Sequence, residues 1–169
     1  MSEVYYEDLT PFRLDETECD ELLRTQSECT FCWTTKTGAP MGVIMGYVWQ
    51  DGRIWTTATS QRARIKAIRR DARCAVVVTS TGVALPPART VTLTGRCVIH
   101  EDADTKRWFY PALAARILPE PGPARDAFVA HLDSPLRVVL EVVPEKSISC
   151  DAMRMMQESF AGLAGAARR

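Results

Sequence analysis

The sequence has no net charge and very few histidines, and both shortages narrow the range of functions. Lys plus Arg and Asp plus Glu number 21 each, so no overall field draws the 169-residue chain to nucleic acid. No stretch approaches the roughly 18 consecutive apolar residues of a membrane helix. The only histidines are His100 and His131, and neither forms a recognisable nucleophile pattern with a neighbouring Ser or Cys. We therefore expect no nucleic-acid partner, no membrane partner and no metal site.

The six cysteines are scattered through a chain that is large enough to fold without disulfides. The opening residues, MSEVYYEDLTPF, are acidic and contain no apolar core, so they do not resemble a signal peptide. Cys29 and Cys32 have metal-ligand spacing, but they lie in a predicted strand, where residues three apart face opposite ways. We expect a cytoplasmic protein in which these thiols are reduced core residues.

Internal repeats and long low-complexity linkers are also missing, which favours one domain. We divide this domain into an N-terminal helix segment over residues 1–27, a barrel core over 28–150 and a C-terminal helical tail over 151–169.

Hydrophobic periodicity predicts the first half of the fold. A short helix over residues 15–25 precedes a strand from Cys29, where the apolar period changes to two. A second strand over 41–49, an Asp51-Gly52 turn and a third strand over 54–59 then predict a three-stranded meander. Strands joined by hairpins favour an antiparallel barrel over a doubly wound sheet.

The second half continues with a mixture of helices and strands. Ser60 is a candidate N-cap for a helix over residues 61–71. The later predicted elements are strands over 74–79, 90–99 and 136–143 and helices over 105–117 and 124–132. The fold class predicted from this order is mainly β with peripheral helices.

Two glycines lie on one face of the second predicted strand. Gly42 and Gly46 weaken a strand, and glycine there often marks the close approach of a ligand or of another backbone. They predict either room for a flat ring or tight packing within the barrel.

Two arginines open the helix that follows the third strand. Arg62 and Arg64 oppose the helix dipole beside unpaired backbone N–H groups, which is unfavourable unless an anion binds there. A phosphate held by both arginines, with Thr59 and Ser60 donating, would reverse that cost. The alternative is a solvated basic helix face, formed by Arg62, Lys66, Arg69, Arg70 and Arg73.

The stretch GAPMGVIMGYVWQDGRIWTTATSQRARIKAIRRDARCAVVV resembles the core of the pyridoxamine 5′-phosphate oxidase-like split barrels, especially their flavin and deazaflavin oxidoreductase branch. The shared pattern is a G-x-P turn, an aromatic-x-D-G turn, small hydroxyl residues, an R-x-[KR] element and R-D-x-R before an apolar strand. The resemblance implies an antiparallel, FMN-binding split β-barrel that forms a homodimer, with cofactors at the interface. It also implies hydride transfer to or from a small organic substrate.

The resemblance assigns cofactor contacts by position, without identifying a catalytic residue. It places Tyr47 near the ring, where it is also a possible proton donor. The cofactor-binding residues that it implies are Gly42, Val43, Ile44, Met45, Tyr47, Thr57, Ala58, Thr59, Arg62, Arg64, Lys66, Arg89 and Thr90.

Two departures from the family pattern leave alternatives open. The cations are spaced as Arg62-Ala63-Arg64 rather than as an adjacent Arg-Lys pair, and residues 150–156 lack the family's Arg and His pattern for vitamin B6. Vitamin B6 oxidation is therefore not expected. The cofactor that the resemblance implies is FMN or, alternatively, the deazaflavin coenzyme F-420. Two further alternatives are non-catalytic binding of either cofactor, and haem binding or degradation with His100 or His131 as the axial ligand.

Overall fold

The computed structural model describes residues 8–166, and side chains over residues 8–160. In this range the chain forms seven strands, five α-helices and a 3₁₀ turn at Thr10–Phe12. The strands are β1 (Glu28–Thr34), β2 (Pro40–Gly46), β3 (Val48–Gln50), β4 (Arg53–Thr59), β5 (Arg73–Thr79), β6 (Arg89–His100) and β7 (Arg137–Asp151). The helices are α1 (Glu16–Thr25), α2 (Ala63–Arg70), α3 (Ala103–Ile117), α4 (Pro123–Leu132) and α5 (Ala152–Ala166).

The seven strands form one mainly antiparallel sheet in the order β2-β1-β5-β6-β7-β4-β3. Only Tyr47 separates β2 from β3 in the chain, although these two strands end the order on opposite sides. The chain thus changes partner at Tyr47, pairing with β1 before it and with β4 after it. This half-barrel is consistent with the predicted split barrel.

The chain divides into two compact units. The first consists of Met1–Gln26, Val78–Thr92 and Ile148–Arg169, and the second of Ser27–Val77 and Leu93–Ser147.

In the first unit, α1 begins with a capping box. The Asp15 carboxylate accepts a hydrogen bond from the Glu18 backbone N–H (2.8 Å), and the Glu18 side chain accepts one from the Asp15 N–H (3.0 Å). These two bonds satisfy N–H groups that a helix start leaves without partners. Leu22 and Leu23 are the buried residues of the helix, which confirms the predicted leading helix.

The start of α5 is attached to the N-terminal segment of the same unit. The Arg154 guanidinium donates to the Pro11 carbonyl (2.9 Å) and the Arg13 carbonyl (3.0 Å). In the same unit, the Ser149 hydroxyl accepts from the Leu14 N–H (3.1 Å). The predicted C-terminal tail is helical over Ala152–Ala166, and its last three residues lie outside the described range.

In the second unit, two hairpins contain the sequence signals that predict them. β1 and β2 pair from Glu28 opposite Gly46 to Thr34 opposite Pro40. Asp51 and Gly52 turn the chain between β3 and β4 with φ of 53° and 72°, the left-handed geometry that this dipeptide favours. The predicted hairpin at this turn is confirmed.

The predicted meander is confirmed in part: its third strand, β4, pairs back on the end of the predicted second strand, but that second strand breaks at Tyr47 into β2 and β3. β4 pairs with β3 over only three residues, whereas it pairs with β7 from Ile54 opposite Val142 to Thr59 opposite Arg137. Local periodicity identifies each strand, but it carries no information about a partner so distant in the chain.

A hydrophobic cluster packs α3 and α4 against the sheet of the second unit. Its buried members are Val48, Phe109, Tyr110, Leu113, Leu132 and Val139. Trp55 on β4 meets Trp108 on α3 edge to face, with ring centroids 4.9 Å apart. α3 therefore lies against the face of β4 that carries Trp55.

Candidate functional site

The candidate phosphate site lies where β4 ends and α2 begins. The Ser60 N–H donates to the Leu136 carbonyl (2.7 Å), and the Arg62 N–H donates to the Thr59 carbonyl (3.0 Å), which turns the chain into the helix. α2 starts at Ala63, its N-cap is Arg62, and no side chain caps it. The predicted Ser60 cap is therefore wrong, because the helix begins two residues later than the pattern indicates.

Arg62 and Arg64 bring positive charge to this helix start, and no carboxylate within the described part of the chain forms an ion pair with either of them. The first turn of α2 contains no acidic residue. Arg62 is exposed, whereas Arg64 is half-buried, and its Nε atom is buried without a hydrogen-bond partner among the described residues. Burial and the neighbouring Arg62 both lower the pKa of Arg64. A bound anion would offset both unfavourable effects and give Nε an acceptor.

The arginines at the other end of the basic helix face, Arg69, Arg70 and Arg73, differ from these two because they have partners in the chain. Arg69 forms an ion pair with Glu101 (2.6 Å), and Arg70 donates to the Thr34 carbonyl (2.8 Å). Arg73 forms an ion pair with Asp71 (2.7 Å). The alternative of a solvated basic helix face thus fits these three arginines. Lys66 is exposed and lies between them and the Arg62 and Arg64 pair.

Strand β2 offers only part of its predicted contacts to a ligand. Gly42 and Ile44 are exposed, the latter at 60%, and Val43 is half-buried. Met45 and Tyr47 are buried instead, and burial raises the pKa of the Tyr47 phenol. Since Tyr47 is a core residue of this chain, it is a poor candidate for the proton donor near a ring.

The two glycines face the chain's own side chains. A Cβ on Gly46 would lie 3.3 Å from the Ile117 Cδ1, and one on Gly42 would lie 3.1 Å from the Thr30 Cγ2. Of the two explanations for these glycines, tight packing within the protein therefore accounts for both.

Strand β4 leads from the core to the candidate phosphate site. Ala58 is buried, and the Thr57 hydroxyl donates to the Val138 carbonyl (2.7 Å), so its hydrogen is already used. Thr59 is half-buried at the last position of the strand, three residues before Arg62. Of the contacts predicted on this strand, Thr59 is therefore the one that the chain places beside the helix start.

Arg89 and Thr90 belong to the first unit, where Arg89 has a structural role. Its guanidinium forms ion pairs with Glu18 (2.8 Å) and Asp151 (3.2 Å), and its side chain is only 13% exposed. The predicted contact of Arg89 with a ring is therefore not supported, because two carboxylates already engage the guanidinium. Thr90 is half-buried.

Sequence reasoning missed a charged cluster around Glu141 in the second unit. Its carboxylate accepts from the Arg53 guanidinium and lies 2.7 Å from the His100 Nε2. Burial acts to raise the pKa of Glu141, but the hydrogen bonds and charges of Arg53 and His100 outweigh it and lower that pKa. The available signal was a single carboxylate within the apolar run VVLEVV.

This cluster bears on the haem alternative. The His100 Nε2 is engaged by Glu141, and its ring lies beside Trp55 at a centroid distance of 5.5 Å. An imidazole held in this way has to break its contact with a buried carboxylate before that nitrogen can ligate iron. His131 is exposed on α4.

Of the Cys29-x-x-Cys32 pair, Cys29 is a core residue, whereas Cys32 is half-buried. Cys29 is buried, and burial raises the pKa of its thiol to about 12. A thiol with that pKa is protonated at neutral pH and is a poor nucleophile or metal ligand. Among the described residues, no group of three or more His, Cys, Asp or Glu side chains could hold a metal ion. No helix within residues 8–166 is long and apolar enough to cross a membrane.

Comparison with known families agrees with the half-barrel sheet of this chain. The family described as "Pyridoxamine 5'-phosphate oxidase" matches residues 16–150. The chain belongs to this family. No curated protein matches it.

Solved structures share the fold at low sequence identity. A conserved hypothetical protein from Mycobacterium tuberculosis is 20% identical, with a TM-score of 0.75, and the match covers 88% of this chain and 91% of that one. An F-420 reductase is 21% identical, with a TM-score of 0.60 and coverage of 76% and 94%. An FAD-binding protein from Mesorhizobium loti is 19% identical, with a TM-score of 0.56 and coverage of 80% and 93%.

Proposed function

We propose that this protein is an oxidoreductase that binds FMN or the deazaflavin coenzyme F-420 through its phosphate at the start of α2. The observation that carries the proposal is the buried Arg64 Nε, which has no acceptor among the described residues and stands beside Arg62. Family membership and the flavin-related names of two structural neighbours agree with this function.

The residues at the helix start fit a phosphate. The guanidinium groups of Arg62 and Arg64 offer charged donors, and the first backbone N–H groups of α2 have no acceptor within the helix. Half-burial of Arg64 strengthens its attraction to an anion, because less water screens the charge. The phosphate would therefore fix one end of the cofactor.

The bound flavin or deazaflavin would supply the hydride chemistry, and the chain would supply orientation and a shielded surface. Gly42 and Ile44 on β2 are exposed, so a ring system would lie against this strand. Because Tyr47 is buried, the substrate proton would come from water rather than from that phenol.

The proposed active form is a homodimer with the cofactor at the interface. β2 is an edge strand, and it exposes Met41 (47%) and Ile44 (60%). An apolar strand edge of this kind favours pairing with another surface. A second copy of the chain would cover these side chains and complete the cofactor pocket.

An equilibrium fluorescence titration with FMN and, in parallel, with coenzyme F-420 tests the cofactor. We expect micromolar or tighter binding of one of them by the wild type. Replacing both Arg62 and Arg64 by Ala should weaken it by at least about a hundredfold, because hydrogen bonds to charged groups contribute about 1.5–3 kcal/mol each.

The matched control is Arg69→Ala/Arg70→Ala, which removes the same charge from the other end of α2. It should leave the affinity within about threefold, since exposed charges at that distance are screened. Equal weakening by both double variants would contradict a specific phosphate site, and binding of neither cofactor would contradict the proposed function.

Turnover distinguishes an oxidoreductase from a protein that only carries the cofactor. The bound cofactor is reduced photochemically, and its reoxidation by a small quinone is followed by absorbance. The proposal predicts faster reoxidation than for the free cofactor. An equal or slower rate would favour non-catalytic binding.

A further inference from the structure

Arg137 is the first residue of β7, and it lies beside the candidate phosphate site. In the register of β4 and β7, it is directly opposite Thr59, the last residue of β4. Directly opposed residues of antiparallel strands point to the same face of the sheet, with Cβ atoms roughly 4.5–5.5 Å apart. The Arg137 side chain therefore leaves the sheet next to that of Thr59, on the same face.

The turn that leads into α2 stays attached to the start of β7. The Ser60 N–H donates to the carbonyl of Leu136, the residue before Arg137 (2.7 Å). The Arg62 N–H donates to the Thr59 carbonyl (3.0 Å), so the turn folds back onto the end of β4. These two hydrogen bonds hold the start of α2 and Arg137 at the same end of the β4–β7 pair.

The Arg137 side chain lacks a partner within the described part of the chain. Its Nε atom is buried without a hydrogen-bond partner there, as is the Arg64 Nε. None of the ion pairs between described residues includes Arg137. Asp133, which precedes it in the chain, is exposed and also takes part in none of them. Buried polar groups in folded proteins nearly always have a partner, so two such donors call for an acceptor from outside the chain.

We propose that Arg137 is a third cationic ligand of the cofactor phosphate, and that Arg62, Arg64 and Arg137 together favour a phosphomonoester such as FMN. This inference rests on the proposed function, to which it adds a binding residue and a choice between the two cofactors. A phosphomonoester carries a charge of about −1.5 to −2 at pH 7 and three strong acceptor oxygens. The phosphodiester of coenzyme F-420 has a single negative charge and fewer free oxygens, so it offers less to three guanidinium groups.

Fluorescence titration of the full-length protein with FMN and with riboflavin tests the role of Arg137. Arg137→Gln should weaken FMN binding by more than about tenfold, as expected for the loss of a hydrogen bond to a charged group. Riboflavin has no phosphate, so its affinity should change by less than about twofold. The matched control is Arg96→Gln, which removes the same charge from an exposed position on β6 and should leave both affinities unchanged.

Two readouts separate a phosphate ligand from a structural role. Because Arg137 has no partner within the described part of the chain, Arg137→Gln should keep or raise the melting temperature of the free protein. A structural arginine would instead lower the melting temperature and weaken FMN and riboflavin equally. Either of those results would overturn the inference.

The preference for a phosphomonoester is measured on the wild type. FMN should exceed riboflavin in affinity by a larger factor than coenzyme F-420 exceeds its phosphate-free ribityl deazaflavin core. The opposite order would overturn this preference. FMN binding that depends on Arg62 and Arg64 but not on Arg137 would overturn the role of Arg137 and leave the proposed function intact, whereas binding of neither cofactor would contradict the proposed function itself.

Discussion

At the residue scale, single polar groups in apolar surroundings carry most of the information about sites. Arg64 and Arg137 each bury a polar atom that has no partner among the described residues. Arg64 stands out in the sequence because a cation at a helix start opposes the dipole. Arg137 does not stand out, since a charged residue at the start of a predicted strand indicates a solvated end, and only the structure reveals its buried Nε.

Glu141 gives a prediction at this scale. Replacing it by Gln should lower the free energy of unfolding at pH 7 by about 1–2 kcal/mol, because the Arg53 and His100 contacts lose their charged partner. The effect should be modest, because the Arg53 side chain is 45% exposed and water screens its charge. Urea unfolding of both proteins measures it.

The pKa of Glu141 determines how this loss of stability depends on pH. The pKa of Glu141 is lowered from its ordinary value of 4.5, so its carboxylate stabilises the folded state above that pH. The advantage of the wild type over Glu141→Gln should disappear as the pH falls through the lowered pKa. A difference that stays constant as the pH falls from neutrality to well below that value would contradict the assignment.

At the element scale, local signals predict most helices and strands but not their partners. The Asp51-Gly52 turn and the alternating burial of β1 follow directly from the sequence. The last strand is predicted over residues 136–143, but in the structure it continues to Asp151. The prediction stops short because polar residues in the second half of the strand hide the strand pattern. The pairing of β4 with β7 depends on tertiary packing and could not be predicted from periodicity.

The capping box of α1 gives a prediction at the element scale. Asp15→Ala removes the acceptor for the Glu18 N–H and should destabilise the protein by about 1 kcal/mol. Thermal unfolding measures the change. The control is Glu21→Ala, which removes an exposed carboxylate from the same helix, and an equal loss in both variants would show that charge rather than capping matters.

At the scale of the whole molecule, the family and the mainly antiparallel sheet predicted from the sequence are confirmed. The homodimer stays a prediction. Gly38 to Val78 carries the ordered set of turns and cations that identifies the family, and the matching region extends over residues 16–150. Spacing along the chain does not reveal tertiary contacts. It therefore could not predict that Met45 and Tyr47 are buried or that Arg89 forms ion pairs.

The proposed homodimer gives a prediction at this scale. Sedimentation velocity should give about twice the 18.8 kDa mass of one chain. Met41→Glu places a charge on the exposed edge strand and should shift the protein towards the monomer, whereas Leu9→Glu, at a similarly exposed position, should not. A monomeric wild type would contradict the dimer.

The most direct test of the central claim combines removal of the cofactor phosphate with removal of the arginines. Affinities of FMN and riboflavin, or of coenzyme F-420 and its phosphate-free ribityl deazaflavin core, are measured for the wild type and for Arg62→Ala/Arg64→Ala. If these arginines hold the phosphate, the wild type should prefer the phosphorylated form by more than about tenfold, and the double variant should lose most of that preference. Equal weakening of both forms by the double variant would contradict the account.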